Sequence, residues 1–186
     1  MSASAARPRS RNRPPTALDA FAGPSPNDPR VTTPPRHGPT AVERFTLPEA
    51  EPLLPTERFL AAAADFGLAF EAGELDQLGR YLALLLASTR LINLTAIHDP
   101  EEAWLRHIFD ALTLLPLLAD MPEGAMLADV GSGGGIPRIP LAITQPHLRC
   151  FLVESTGKKC EFLRQVAVRL GLKNLTVLET RAEALA

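Results

Sequence analysis

Between residues 126 and 178 short apolar runs alternate with helical patterns, and this alternation restricts the fold more than any other feature of the chain. Residues 126–130 form an apolar run that ends in Gly131-Ser132-Gly133-Gly134-Gly135, after which Ile139, Leu141, Ala142 and Ile143 predict a helix. Residues 150–153 predict a second buried strand, ending at Glu154. From Lys158 to Leu170 the spacing of Phe162, Leu163, Val166 and Leu170 is helical, and Gly171 stands where a left-handed residue closes a helix. Residues 175–178 predict a third strand. Strand, helix, strand, helix, strand requires parallel pairing with right-handed crossovers, which is the first half of a doubly wound α/β sheet.

Upstream the pattern is helical. Phe59, Ala62, Ala63 and Phe66 share one face, and Leu75, Leu78, Leu82, Leu85 and Leu86 repeat at helical spacing, so two amphipathic helices are expected, followed by a turn or extended connection over 91–97. Asp99-Pro100-Glu101-Glu102 reads as a capping box, with Asp99 as N-cap, Pro100 at the first helical position and Glu102 returning to the cap. The helix it opens carries Leu105, Ile108, Leu112 and Leu115 as its buried stripe, ends or kinks near Pro116, and sets His107 beside the stripe as a partly buried, hydrogen-bonded side chain. Before this region the prolines of residues 1–54 forbid regular structure and predict a disordered tail, made locally basic by Arg7, Arg9, Arg11 and Arg13. The expected organisation is therefore a Pro/Arg-rich tail over 1–54, a helical region over 55–120 and a partial α/β domain over 121–186.

Charge and cysteine content narrow the function classes. A formal net charge of -2 gives no general basic field, so contact with a nucleic acid must come from a local patch. Cys150 and Cys160 lack the spacing of a zinc site, no metal is expected, and two thiols fit a reducing, cytoplasmic setting. The longest apolar runs are far shorter than the ~18 to 20 residues that cross a bilayer.

A glycine-rich turn between a strand and a helix lets a ligand approach the backbone. Dinucleotide-binding turns follow G-x-G-x-x-G, whereas Gly131, Gly133 and Gly135 form G-x-G-x-G with Ile136 in the last place, which disfavours a pyrophosphate and a nicotinamide oxidoreductase. Glu154, about twenty residues beyond the glycines at a strand end, is placed to accept hydrogen bonds from both hydroxyls of an adenosine ribose. Adenosine without a pyrophosphate points to S-adenosylmethionine, although glycine turns and strand-end acids also serve purely structural ends.

Five segments occur in a specific order: Asn93-Leu94-Thr95-Ala96-Ile97; Arg106-His107-Ile108 with Asp110-Ala111-Leu112; Asp129-Val130-Gly131-Ser132-Gly133-Gly134-Gly135-Ile136-Pro137; Gly157-Lys158-Lys159 with Phe162-Leu163; and Arg181-Ala182-Glu183. Together, over roughly residues 56–186, they resemble the RsmG (GidB) family of class I methyltransferases, which methylate N7 of one guanine in bacterial 16S ribosomal RNA. The resemblance implies a Rossmann-like methyltransferase fold, S-adenosylmethionine as cofactor, and 16S ribosomal RNA or the assembling small subunit as partner. It implies cofactor contacts at Gly131, Gly133, Gly135 and Ile136, a ribose contact at Glu154, an adenine border at Ala182 and Glu183, and an active-site role for Arg181. Lys158, Lys159, Arg164, Arg169 and Lys173 are candidates for phosphate contacts beside their default as a solvated helix face. Arg138 stands where the family commonly has glycine, and as a long cation on a helix it is expected to point outward. The family also continues past the Arg-x-Glu motif into a second half, so the chain is expected to be a truncated product in which 126–130 presents an unpaired edge. The alternative function on this reading is a catalytically incompetent fragment that retains only RNA or cofactor binding.

Overall fold

The structure, a computed structural model, describes residues 45–185; residues 1–44, which include the arginines of the expected tail, and Ala186 lie outside the described residues. Three parallel strands, β1 (Met126–Val130), β2 (Arg149–Glu154) and β3 (Leu175–Glu179), form a sheet in the order β1-β2-β3, with Val130 level with Val153 and Glu154 level with Glu179. Each lies where its apolar run predicted it; β2 gains Arg149 and Glu154 and β3 gains Glu179, because the ladder pairs Arg149 with Met126 and Glu154 with Glu179. The fold is α/β and consistent with a Rossmann-like methyltransferase.

Helices α1 (Glu57–Phe66) and α2 (Glu74–Ile92) follow the predicted amphipathic stripes. Thr56 caps α1 by accepting from Phe59 N–H, and Gly67 closes it at a positive φ. The third helical run is a composite of α3 (Pro100–Ala103), a π-helical turn (Trp104–Phe109) and α4 (Asp110–Leu112). Asp99 caps it as expected, accepting from Glu102 N–H at 2.9 Å, but the Glu102 carboxylate accepts from Arg106 Nε at 2.6 Å instead of closing the capping box. The π turn inserts extra backbone and rotates the later residues, so the buried stripe is Trp104, Ile108, Ala111 and Leu112, while Leu105 and Leu115 are only partly buried. The run breaks before Pro116 and resumes as the short α5 (Leu115–Leu118).

Between the strands lie α6 (Arg138–Thr144) and α7 (Gly157–Leu170), the latter closed by Gly171 as predicted. Helix α2 packs across both. One continuous core joins Phe59, Leu78, Tyr81, Leu82, Leu85 and Trp104 of the helical region to Ile139, Leu152, Phe162, Leu163 and Val166 of the α/β region, so the expected boundary near residue 120 carries no break in packing. Every residue from Arg138 to Ile143 is buried, because α6 is enclosed by α2, α4 and the sheet.

Residues 45–54 correct the expected extent of the disordered tail. Prolines exclude helix and central strand there but not packing. Leu47 is buried, its N–H donates to Gln165 Oε1 at 2.8 Å, Gln165 Nε2 donates to the Phe45 carbonyl, and the Phe45 ring meets Phe162 edge to face. Arg169 grips Glu49 through two nitrogens at 3.0 Å each. Further along, Leu53 N–H donates to Gly79 O, and a Cβ at residue 79 would strike the Leu53 carbonyl, so only glycine admits this strap against α2.

Cys150 and Cys160 are buried free thiols, and among the described residues no cluster of His, Cys, Asp and Glu could hold a metal ion and no helix is long and apolar enough to cross a membrane. Among the described residues β1 pairs with β2 alone, and Val130 at its end is exposed.

Candidate cofactor site at the strand ends

The turn after β1 is built to bring backbone close to the end of β2. Gly131 N–H and Ser132 N–H both donate to the Val153 carbonyl, at 2.8 and 3.2 Å, and Gly131, Gly133 and Gly135 all take positive φ. Gly135 is required on two grounds: its φ is +90°, and a Cβ there would overlap Ile139 and crowd Leu163. Tyr81, fully buried on α2, donates its hydroxyl to the Gly134 carbonyl at 2.7 Å and ties the turn to the helical region. Sequence reasoning does not single out Tyr81; nothing local marks an aromatic ring as the anchor of a loop more than fifty residues away.

Glu154 ends β2 and is buried. Its Oε2 accepts from Gly133 N–H at 3.0 Å and its Oε1 from Thr156 N–H at 2.8 Å. Burial alone would raise this carboxyl above its ordinary value; the Thr156 and Gly133 amides, with Lys159 nearby, outweigh it and hold the group below that value, so Glu154 is an anion at neutral pH. Each carboxylate oxygen has a second acceptor site, which leaves capacity for two ligand hydroxyls.

Beyond these groups lies a cavity of about 380 Å³ lined by Val130, Gly131, Val153, Glu154, Ser155 and Thr180-Arg181-Ala182-Glu183. Thr180 N–H donates to the Glu154 carbonyl at 3.0 Å, which ties the chain after β3 to the end of β2, and a 3₁₀ turn over Ala182–Leu185 carries the last rim residues. Five of the predicted site residues, Gly131, Glu154, Arg181, Ala182 and Glu183, thus meet around one cavity at the carboxyl ends of parallel strands, the general location of ligands in such sheets. Gly133, Gly135 and Ile136 do not line it. Gly133 orients Glu154, Gly135 admits close helix packing, and Ile136 packs against the core. Ser155 and Thr180 line the cavity unforeseen, although both adjoin strand ends already singled out.

Three further side chains from the same motifs do not line the cavity. His107 is buried, with Nε2 2.8 Å from Thr95 Oγ1, and Thr95 Oγ1 in turn accepts from Ile97 N–H at 3.1 Å. Burial lowers its pKa, against smaller opposing effects of the Arg106 backbone and Asp110, so the ring is neutral and structural in its contacts. Asp129, two residues before Gly131, is raised by burial despite the Ser132 hydroxyl and the Arg138 charge, and its Oδ2 is buried without a hydrogen-bond partner. Arg138 overturns the expectation of an outward-pointing cation: it is 8% exposed, its Nη2 donates to the Ala128 carbonyl at 3.4 Å, and its Nε and Nη1 are buried without acceptors. A lone arginine in a sequence reads as solvent-facing, but the first residue of an enclosed helix has no solvent to face.

Comparisons with known proteins identify the family. Residues 74–186 match the family described as GidB, rRNA small subunit methyltransferase G. A protein of Sorangium cellulosum named ribosomal RNA small subunit methyltransferase G is 52% identical over 139 residues, covering 75% of this chain and 58% of the relative. Proteins of the same name from Stenotrophomonas maltophilia (strain K279a) and Xanthomonas axonopodis pv. citri are 47% and 48% identical, covering 70% and 68% of this chain and 61% and 59% of their own lengths. The chain therefore spans about three-fifths of the length of these curated relatives. A family match over more than half of the chain, joined to this identity, is decisive: the chain belongs to the GidB family.

Proposed function

We propose that the chain binds S-adenosylmethionine in the cavity at the strand ends and serves methyl transfer to N7 of a guanine in 16S ribosomal RNA. The observation that carries the cofactor reading is the Glu154 carboxylate, kept ionised by two backbone amides and set in the wall of a cavity whose other sides are the glycine turn and residues 180–183. Glu154 would take the ribose hydroxyls, the Gly131 backbone would pass closest to the ligand, and Ala182 and Glu183 would border the base. Bound S-adenosylmethionine supplies an electrophilic methyl group on a sulfonium. Guanine N7 already holds a lone pair in the base plane, so the chain needs no general base, and its residues contribute by holding and orienting the partners. Arg181, exposed on the cavity rim, is the proposed active-site cation.

Of the candidate phosphate contacts, Arg164 and Arg169 are engaged with Glu179 and Glu49, whereas Lys158 and Lys173 are exposed with no ion pair among the described residues. The RNA reading therefore falls on the lysines. Two reduced buried thiols support a cytoplasmic setting. A second reading, cofactor or RNA binding without turnover, needs only the cavity and the exposed lysines.

Calorimetric titration of S-adenosylmethionine into the 186-residue chain, with circular dichroism to establish folding, tests the cofactor reading: saturable binding is expected, and a folded chain that binds none overturns it. Methyl transfer to small-subunit RNA by a binding-competent chain separates the first reading from the second.

A further inference from the structure

Charge is divided unevenly along the chain. Residues 1–44 hold seven arginines, no lysine and three acids, a net charge of +4, whereas residues 45–186 hold twelve cations and eighteen acids, a net charge of -6. The part that carries the strand-end cavity is thus an anion, and its overall field repels a polyanion such as RNA. Several of its cations are already neutralised: Arg58, Arg80, Arg106, Arg164 and Arg169 are each paired with an acid. Of the exposed lysines, Lys158 stands in the first turn of α7, at the cavity end of the sheet, and Lys173 stands just before β3, at the opposite end. Lys158, Lys159 and Arg181 at the cavity end stand among Glu154, Glu161 and Glu183, so that end carries no strongly basic patch of its own.

The N-terminal segment is tethered at that end. Phe45, the first described residue, lays its ring against Phe162 and its carbonyl accepts from Gln165 Nε2, while Glu49 meets Arg169. The strap therefore runs alongside α7 in the same direction, and its upstream end is the one nearer the start of α7, which follows the cavity residue Ser155. Phe162 lies about 8 Å along the helix axis from Gly157. Arg44 adjoins the tether, and Arg36 is nine residues from Phe45, within about 30 Å by any path of the chain. We propose that residues 1–44 are an RNA-binding segment whose arginines hold phosphates of the RNA presented to the strand-end cavity. Guanidinium groups suit this task, since each stays charged and offers a planar fork to phosphate oxygens. The inference rests on the RNA reading above and adds the part of the chain that supplies most of the affinity.

The test measures binding of transcribed 16S ribosomal RNA, from about 0.05 to 0.3 M salt, by the wild-type chain, a chain carrying R7Q, R9Q, R11Q, R13Q, R30Q, R36Q and R44Q together, K158Q and K173Q. The sevenfold variant is expected to bind at least about a hundredfold more weakly at about 0.1 M salt, with the slope of log affinity against log salt reduced by about 3 or more. K158Q lowers that slope by the share of one phosphate contact, about 0.7 to 0.9, and K173Q leaves it unchanged. Circular dichroism and the urea midpoint are the same in all four chains, which separates lost contact from lost structure. A chain substituted only at Arg7, Arg9, Arg11 and Arg13 gives the same test at about half the effect if the sevenfold chain misfolds. Wild-type affinity and slope in the sevenfold variant overturn the inference and leave the RNA reading with the lysines. An equal loss for K173Q and K158Q overturns the placement at the cavity end. A folded wild-type chain that binds no RNA overturns the RNA reading, and this inference with it; arginine-dependent capture by phosphatidylglycerol vesicles in that case assigns the segment to a membrane surface.

Discussion

At the end of β2 the Glu154 carboxylate accepts a backbone N–H on each oxygen, while at the end of β1 the Asp129 carboxyl keeps a buried oxygen with no donor and Arg138 keeps two buried nitrogens with no acceptor. The two ends belong to adjacent strands in register, Asp129 lying level with Leu152. They differ in what surrounds them. β2 is flanked by a strand on both sides and by α7, and the Glu154 carboxylate is satisfied from within the chain; among the described residues β1 has one neighbour, and the polar groups at its end are satisfied only in part. A satisfied carboxylate is a rigid wall to which a ligand adds, whereas unsatisfied charges are a demand that a ligand or another segment meets.

Substitutions can break this contrast. The largest effect is expected for Gly135→Ala, where a positive φ and a Cβ overlapping Ile139 combine: about 3 kcal/mol lost in denaturant unfolding. Smaller values, near those of an open surface glycine, would show that the turn yields. Glu154→Ala follows, at about 2 kcal/mol of stability with a parallel loss on the order of 1.5 to 3 kcal/mol in S-adenosylmethionine binding, because Gly133 and Thr156 lose an acceptor and the ligand a charged partner. An unchanged affinity removes Glu154 from the ribose site. The same group fixes a pH dependence. Its folded pKa is depressed, so its stabilisation is present above the ordinary carboxylate value of 4.5 and is lost as pH falls through the lower folded value; Glu154→Gln flattens that part of the stability curve.

Tyr81→Phe leaves the Gly134 carbonyl without its buried donor and should cost about 1 kcal/mol, read as a lower urea midpoint at unchanged slope. The smallest effect is expected at the unsatisfied end. Arg138→Met removes a buried cation that has only one long hydrogen bond, and the unfolding midpoint of the ligand-free chain should stay the same or rise. A loss as large as that of Glu154→Ala would erase the contrast between the strands.

Much of the framework was legible in advance where a local rule acts alone. β1 coincides with its apolar run, Asp99 and Gly171 cap the helices they were expected to cap, and the parallel order follows from the alternation of elements. The site was legible in part: Glu154, Gly131 and residues 181–183 converge because strand ends and the turns after them must lie together in a parallel sheet. Local patterns failed where a residue's surroundings come from far along the chain. Residues 45–54 read as tail from sequence because prolines report only what backbone structure is excluded, not which side chains find a surface. Leu105, expected in the buried stripe, only borders the core, because Trp104 takes the buried place at the start of the π turn.

What the order of residues determined by itself is the succession of strands and helices, their caps, and the meeting of the glycine turn with Glu154, since periodicity, capping and crossover handedness act over a few residues or follow from chain order. Tertiary structure alone decided that Tyr81 anchors the glycine turn, that Gln165 and Arg169 hold the segment before α1, and that Arg138 is buried beside Asp129. Burial and partnership are properties of the space between elements, and no residue carries them until the elements have packed.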